Sequence, residues 1–278
     1  MTSLKDLKKF SDSLSSAETK MPVLFMGHGS PMNAIEDNEF TKTWKKLGGE
    51  LGKPTAILCI SAHWETKGTF VTAMQQPKTI HDFGGFPQAL FDVEYPAPGK
   101  PDLAKQIKGE IKKTEVGLDE SSWGLDHGAW SIIKPMFPNA DIPVLELSLD
   151  YTQNAQWHYD LAKELAVLRN KGVLIIGSGN MVHNLGMVTW RNLNGGGYDW
   201  AIEMNEKFKK LITDKNHKEL INYSSLGAAA KMAIPSPEHY LPLLYTLALQ
   251  EEKDNMSFFN DKTMAGSLSM TSVKLISS

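Results

Sequence analysis

Cysteine is nearly absent from this chain: one of its 278 residues, Cys59, is a cysteine. A lone thiol closes no disulfide within the chain, which excludes a small disulfide-built scaffold. Cys59 lies inside the apolar run Ala56–Ile60, where it reads as a small buried side chain and not as a nucleophile. Long apolar runs are missing too. No uncharged stretch reaches the ~18 residues that a membrane-spanning helix needs, so no membrane partner is expected. The first ten residues, Met1 to Phe10, carry charges where a secretion signal has its apolar core, and a cytoplasmic location is the expectation. Positive charge is never concentrated. The formal net charge is -3, and the most basic stretch, Lys207-Phe208-Lys209-Lys210, is short. Nucleic-acid binding needs a basic stripe, so no nucleic-acid partner is expected. The serine-hydrolase elbow, the Walker loop and the H-E-x-x-H helix do not occur. Gly177-Ser178-Gly179-Asn180 follows an apolar run but lacks the rest of a dinucleotide fingerprint.

What the chain does have is an ordinary globular composition, 41% hydrophobic and 22% charged, and eight histidines. Three of them follow short apolar runs. His28 comes after Val23-Leu24-Phe25-Met26-Gly27, His63 after Ala56-Ile57-Leu58-Cys59-Ile60, and His183 shortly after Val173-Leu174-Ile175-Ile176. Short apolar runs bounded by turn residues read as buried strands. In an open parallel sheet, ligands bind beyond the carboxyl ends of the strands. Three strand-end histidines therefore point to one shared site, whose natural occupant is a divalent metal.

The order of elements supports that placement. Strands are expected at 22–26, 56–60, 142–149 and from Val173, and helices at 39–51, from Pro101, at 155–169 and at 200–212. A weak amphipathic helix is expected around Leu4, Leu7, Phe10 and Leu14. A C-terminal strand over 266–275 should lie near a sheet edge. This strand–helix–strand order predicts a single α/β domain over residues 1–278, with 1–20 a peripheral segment. Its mostly parallel central sheet is flanked by helices, and the metal site lies at the strand carboxyl ends. Residues 64–99 read as a long irregular, aromatic segment, suited to a pocket wall or lid. The stretch Trp123–Trp130 reads as a loop. Ser236 and Pro237 read as the N-cap and first residue of a helix through Leu249, with His239 in its first turn. His81 and His127 sit beside Asp82 and Asp126, either as oriented functional groups or as structural ones. His158 is expected at a helix boundary or surface, and His217 in solvent.

Six blocks give this pattern a further meaning. They are Gly27-His28-Gly29-Ser30-Pro31-Met32, Ser61-Ala62-His63-Trp64, His81-Asp82-Phe83-Gly84-Gly85-Phe86-Pro87, Trp123-Gly124-Leu125-Asp126-His127-Gly128, Gly177 to Leu185, and Pro237-Glu238-His239-Tyr240. In this order the chain resembles the DODA-type extradiol aromatic ring-opening dioxygenases, within the LigB-like class III superfamily, over about residues 20 to 275. The resemblance implies an α/β fold and one divalent metal per chain. Its ligands would be His28, His63 and His239, with His183 a fourth ligand or the acid/base. His127 would act at the substrate pocket, and Glu238 is the fallback ligand. Fe2+ suits the oxygen chemistry, and Zn2+ is expected in the protein as isolated. The implied reaction is O2-dependent opening of a catechol such as L-DOPA at the 4,5-bond, giving a semialdehyde. A monomer or small homo-oligomer is expected. Two other readings stand beside it: a zinc-dependent hydrolase or lyase on the same scaffold, and a metal-binding protein without turnover.

Overall fold

Alternation along the strands decides the layers. In the first strand, Val23 and Phe25 face one hydrophobic cluster while Leu24 and Met26 face another. The same split recurs in the next strand, with Ala56, Leu58 and Ile60 on one side and Ile57 and Cys59 on the other. A strand with two apolar faces must lie inside a sheet covered on both sides. The computed structural model, which describes residues 20–277, has this arrangement; the helix expected around Leu4–Leu14 lies outside the described residues.

The central sheet has six strands: β1 (Val23–Gly27), β2 (Ala56–Ser61), β3 (Val144–Glu146), β4 (Val173–Gly179), β5 (Asp254–Phe259) and β6 (Ser272–Ser277). Their spatial order is β3-β2-β4-β1-β6-β5. The first four run parallel, and β6 runs antiparallel to both β1 and β5. One face carries α1 (Glu39–Leu51) and α3 (His127–Met136), which bury Trp44 and Trp130. The other carries α2 (Pro101–Glu110), α4 (Ala155–Lys163), α5 (Asp199–Thr213) and α6 (Leu241–Ala248). The expected α/β sheet flanked by helices is therefore what the chain forms.

Several local expectations change. The C-terminal strand is one place in from the edge, because Asp254–Phe259, not foreseen as a strand, pairs outside it. The strand expected over 142–149 breaks after Glu146, and Leu149–Asp150 pairs instead with Glu65–Thr66. The 155–169 helix stops at Lys163 and resumes as a 3-10 turn over Ala166–Lys171. Half of the expected loop Trp123–Trp130 is the start of α3, capped by Asp126, whose side chain accepts from Ala129 N–H. Gly128 and Pro135 hide that helix from a propensity reading, but tertiary burial overrides propensity. The Ser236-capped helix begins only at Leu241, so Pro237–Tyr240 is a turn ahead of it. His158 is buried, with Nδ1 2.9 Å from the Tyr245 hydroxyl and Nε2 3.2 Å from the Asp150 carbonyl oxygen. His217 is half-buried between the Tyr159 hydroxyl and the Gln250 side chain. Both histidines are therefore more buried than expected, because their hydrogen-bond partners come from elements distant in sequence.

Candidate metal centre

The strand order brings the histidines together. β4 lies between β2 and β1, so the ends that deliver His63 and His28 stand two strand spacings apart, on the order of 10 Å. Side chains can meet across that gap only if the middle strand ends in small residues, and β4 ends in Gly177-Ser178-Gly179. The backbone ladder continues past the strands: His28 N–H donates to Gly179 O at 3.1 Å, and Ala62 N–H to Ser178 O at 3.0 Å. The His239 turn docks on the same strand end, its carbonyl accepting from Asn180 N–H at 2.9 Å. A Cβ on Gly179 would stand 2.1 Å from that carbonyl oxygen, so only glycine permits the approach.

The ring nitrogens are oriented by partners. Ser178 Oγ donates to Gly128 O at 2.6 Å, so toward His28 Nδ1, 3.0 Å away, it can only accept. The proton of His28 therefore sits on Nδ1, and Nε2 keeps its lone pair. His63 turns Nδ1 toward Asp82 Oδ2 at 3.4 Å. Its Nε2 then faces His28 Nε2 at 3.4 Å. Two lone pairs pointed at each other repel unless a cation lies between them. Two nitrogen ligands of a tetrahedral ion, each at ~2.1 Å, stand about 3.4 Å apart. The donor set thus fits a metal. His239 completes a group with His28 and His63 whose ligand atoms all lie within 4.8 Å of one another.

His183 stands in a second group, with His239 and Glu238. Its ring stacks on His239 with centroids 3.5 Å apart and planes 7° apart. Glu238 Oε1 lies 3.1 Å from His239 Nδ1 and accepts from Ser236 Oγ at 2.8 Å. That carboxylate therefore orients His239 as metal-binding histidines are commonly oriented. A third group joins His63, Asp82 and His127. Asp82 Oδ1 lies 2.9 Å from His127 Nδ1 and accepts His127 N–H at 3.0 Å. The Phe83 ring stands edge-on to His127 at 5.5 Å, so the aromatic segment does wall the site. His81 stays outside the three groups, with Nε2 bonded to the Val93 carbonyl.

Burial, reinforced by neighbouring histidines, holds His28 and His239 well below the ordinary imidazole range. Burial first, then His127, lowers His63 to about 4, and burial lowers His183 to about 4 against the pull of Glu238. The rings are therefore neutral near pH 7, the form that binds a metal or accepts a proton. Burial pushes Asp82 up, but its contacts with His127 and His63 outweigh this and keep it ionised. The sequence reading missed Ser61, Ser178 and Glu146, and it weighed Asp82 and Asp126 as orienting the histidines next to them in sequence, whereas Asp82 reaches His127 and His63. A strand-end serine or a lone mid-strand glutamate carries no spacing signal.

Together the sheet and its histidines define an α/β protein with a candidate metal centre over the strand ends. Residues 21–270 match the family model described as the catalytic LigB subunit of aromatic ring-opening dioxygenase. The chain belongs to this family of metal-dependent extradiol dioxygenases. It is 46% identical to 4,5-DOPA dioxygenase extradiol of Escherichia coli (strain K12), over 93% of this chain and 96% of that one. The 4,5-DOPA dioxygenase extradiol of Beta vulgaris is 36% identical, over 91% and 96% of the two chains. A crystal structure of an uncharacterized Escherichia coli K12 protein superposes with a TM-score of 0.81 at 40% identity, covering 92% of this chain and 99% of that one. Membership of an oxygenase family decides against the hydrolase or lyase and the non-enzymatic readings. Among the described residues no helix is long and apolar enough to cross a membrane.

Proposed function

We propose that this chain opens the ring of a catechol such as L-DOPA at the 4,5-bond, with His28, His63 and His239 holding one divalent metal. The observation that carries this is the 3.4 Å opposition of two imidazole Nε2 atoms whose other nitrogens face Ser178 and Asp82. Iron(II), when bound there, supplies the electrons that oxygen activation needs and lowers the pKa of a catechol hydroxyl; zinc offers the charge without the redox change. His183 stands beside the three-histidine group, not within it, which favours proton transfer over a fourth ligand position. Neutral at pH 7, its ring can take a catechol proton and return it during ring opening. His127, with Nδ1 turned toward Asp82, offers Nε2 as the second proton-transfer group, and Phe83 limits water beside it.

The test is anaerobic loading with iron(II), followed by L-DOPA and labelled O2. The expected result is one O2 consumed per yellow semialdehyde-derived product, with both oxygen atoms incorporated. Oxygen-independent turnover by zinc-loaded protein, or no turnover by the iron form, would overturn the proposal.

A further inference from the structure

Two carboxyls are buried together between the end of β3 and the start of α3. Glu146 and Asp126 are both 0% exposed. Each uses one oxygen on a conventional donor. Glu146 Oε1 accepts Asp126 N–H at 2.8 Å. Asp126 Oδ1 accepts the Ser61 hydroxyl at 2.7 Å and Ala129 N–H at 3.1 Å. Glu146 Oε2 and Asp126 Oδ2, also buried, face no donor among the described groups, although the bond from Asp126 N–H to Glu146 Oε1 sets the two residues in direct contact. Two carboxylates in that contact cannot both be charged, and a proton on one makes it the donor that the other lacks.

We propose that Glu146 and Asp126 share one proton as a buried acid pair, Glu146 donating through Oε2 to Asp126 Oδ2, and that the pair positions His63 and His127. The route is short. Ser61 Oγ, held by Asp126, accepts His63 N–H at 3.2 Å, and Asp126 caps the helix whose first residue is His127. Both are positioning residues, since neither belongs to the three histidine groups. The surroundings agree. Burial, then the negative charge of Asp126, raises Glu146 well above the ordinary carboxyl range, and Asp82 adds in the same direction. Cys59, opposite Glu146 in the β2–β3 register, presents a thiol that burial and the same two acids keep protonated.

Infrared spectra of the zinc-loaded protein at neutral pH read the shared proton directly. Wild type should show the carbonyl band of one protonated carboxylic acid, and Glu146→Gln should lack it. The glutamine amide can still donate to Asp126 Oδ2, so zinc affinity and ring-cleavage kcat should stay within about threefold of wild type. Glu146→Leu removes both contacts and should weaken zinc binding, measured by chelator competition, by about tenfold or more. A raised carboxyl pKa in the folded state means stability is lost as pH rises above the unfolded value of ~4.5. Glu146→Gln should therefore gain stability over wild type as pH increases, and this slope does not need the leucine variant to fold. Absence of the band in wild type, its persistence in Glu146→Gln, a pH-independent stability difference, or wild-type zinc affinity in Glu146→Leu would each overturn the proposal. The kcat comparison rests on the dioxygenase reading. An iron form that opens no catechol defeats that reading while the band, the slope and the zinc titration still decide the acid pair.

Discussion

At the scale of single residues, what distinguishes this site is how the second nitrogen of each ring is engaged. His28 leans on Ser178, His63 and His127 share Asp82, and His239 leans on Glu238. Removing a ring should empty the site, and removing a partner should loosen it. His28→Ala or His63→Ala is expected to abolish stoichiometric metal binding while circular dichroism stays close to wild type; His217→Gln, between Tyr159 of α4 and Gln250, should keep full stoichiometry. Asp82→Asn should cost ~10–100-fold in metal affinity, because it weakens the hold on His63, and it should lower kcat as well through His127. Metal analysis after dialysis checks all four variants, and wild-type loading in His63→Ala would remove it from the ligand set. For His183→Ala and His127→Ala the expectation is a fall in kcat of ~10²–10⁴ with a smaller change in KM, since a proton-transfer group contributes mainly in the transition state. Steady-state kinetics at matched iron occupancy are the check.

At the scale of elements, close approaches and one buried ion pair hold the frame. Gly179→Ala would push the His239 turn off the end of β4, so it should lower metal affinity with the sheet intact, a result opposite to that of an ordinary core mutation. Far from the site, the Arg169 guanidinium grips Asp254 at 2.7 and 2.9 Å and also donates to Met21 O and Leu249 O. Burial disfavours the Asp254 anion, yet Arg169 keeps it below its ordinary pKa. This contact fastens the start of the edge strand β5 to the turn before β4. Arg169→Met should destabilise by ~3–5 kcal/mol, because it leaves a carboxylate buried without its cation. Denaturant unfolding measures this, and a loss under ~1 kcal/mol would show that the edge strand is held by its ladder and packing alone.

At the scale of the whole molecule, buried neutral histidines make the fold sensitive to acid. Burial lowers His158 to about 4, whereas an unfolded histidine titrates near 6.5. Between those values the unfolded chain takes up a proton that the folded chain refuses. Stability is therefore lost as pH falls from ~6.5 toward ~4, by roughly 3 kcal/mol for this residue. His158→Gln should lower Tm near pH 7 but flatten its decline between about pH 7 and pH 5. Thermal melts of both proteins at the two pH values test this, and parallel declines would assign the acid sensitivity elsewhere.

The apolar runs determined by themselves that β1, β2 and β4 are buried strands, because only a sheet covered on both faces accommodates side chains apolar on both sides. They also placed a histidine just past each of these strands, and the Pro237-Glu238-His239-Tyr240 block added His239. The start of α3 was not legible, since Gly128 and Pro135 argue locally against a helix that burial imposes. The depth of His158 was equally hidden, because Tyr245 lies 87 residues away in sequence. What only the tertiary structure decided is convergence. Nothing local says that β4 inserts between β2 and β1, that its Gly-Ser-Gly end leaves room above it, or that Ser178 and Asp82 turn two lone pairs toward one point. Strand order is set by which faces pack together across the whole sheet, and that is a property of all the elements at once.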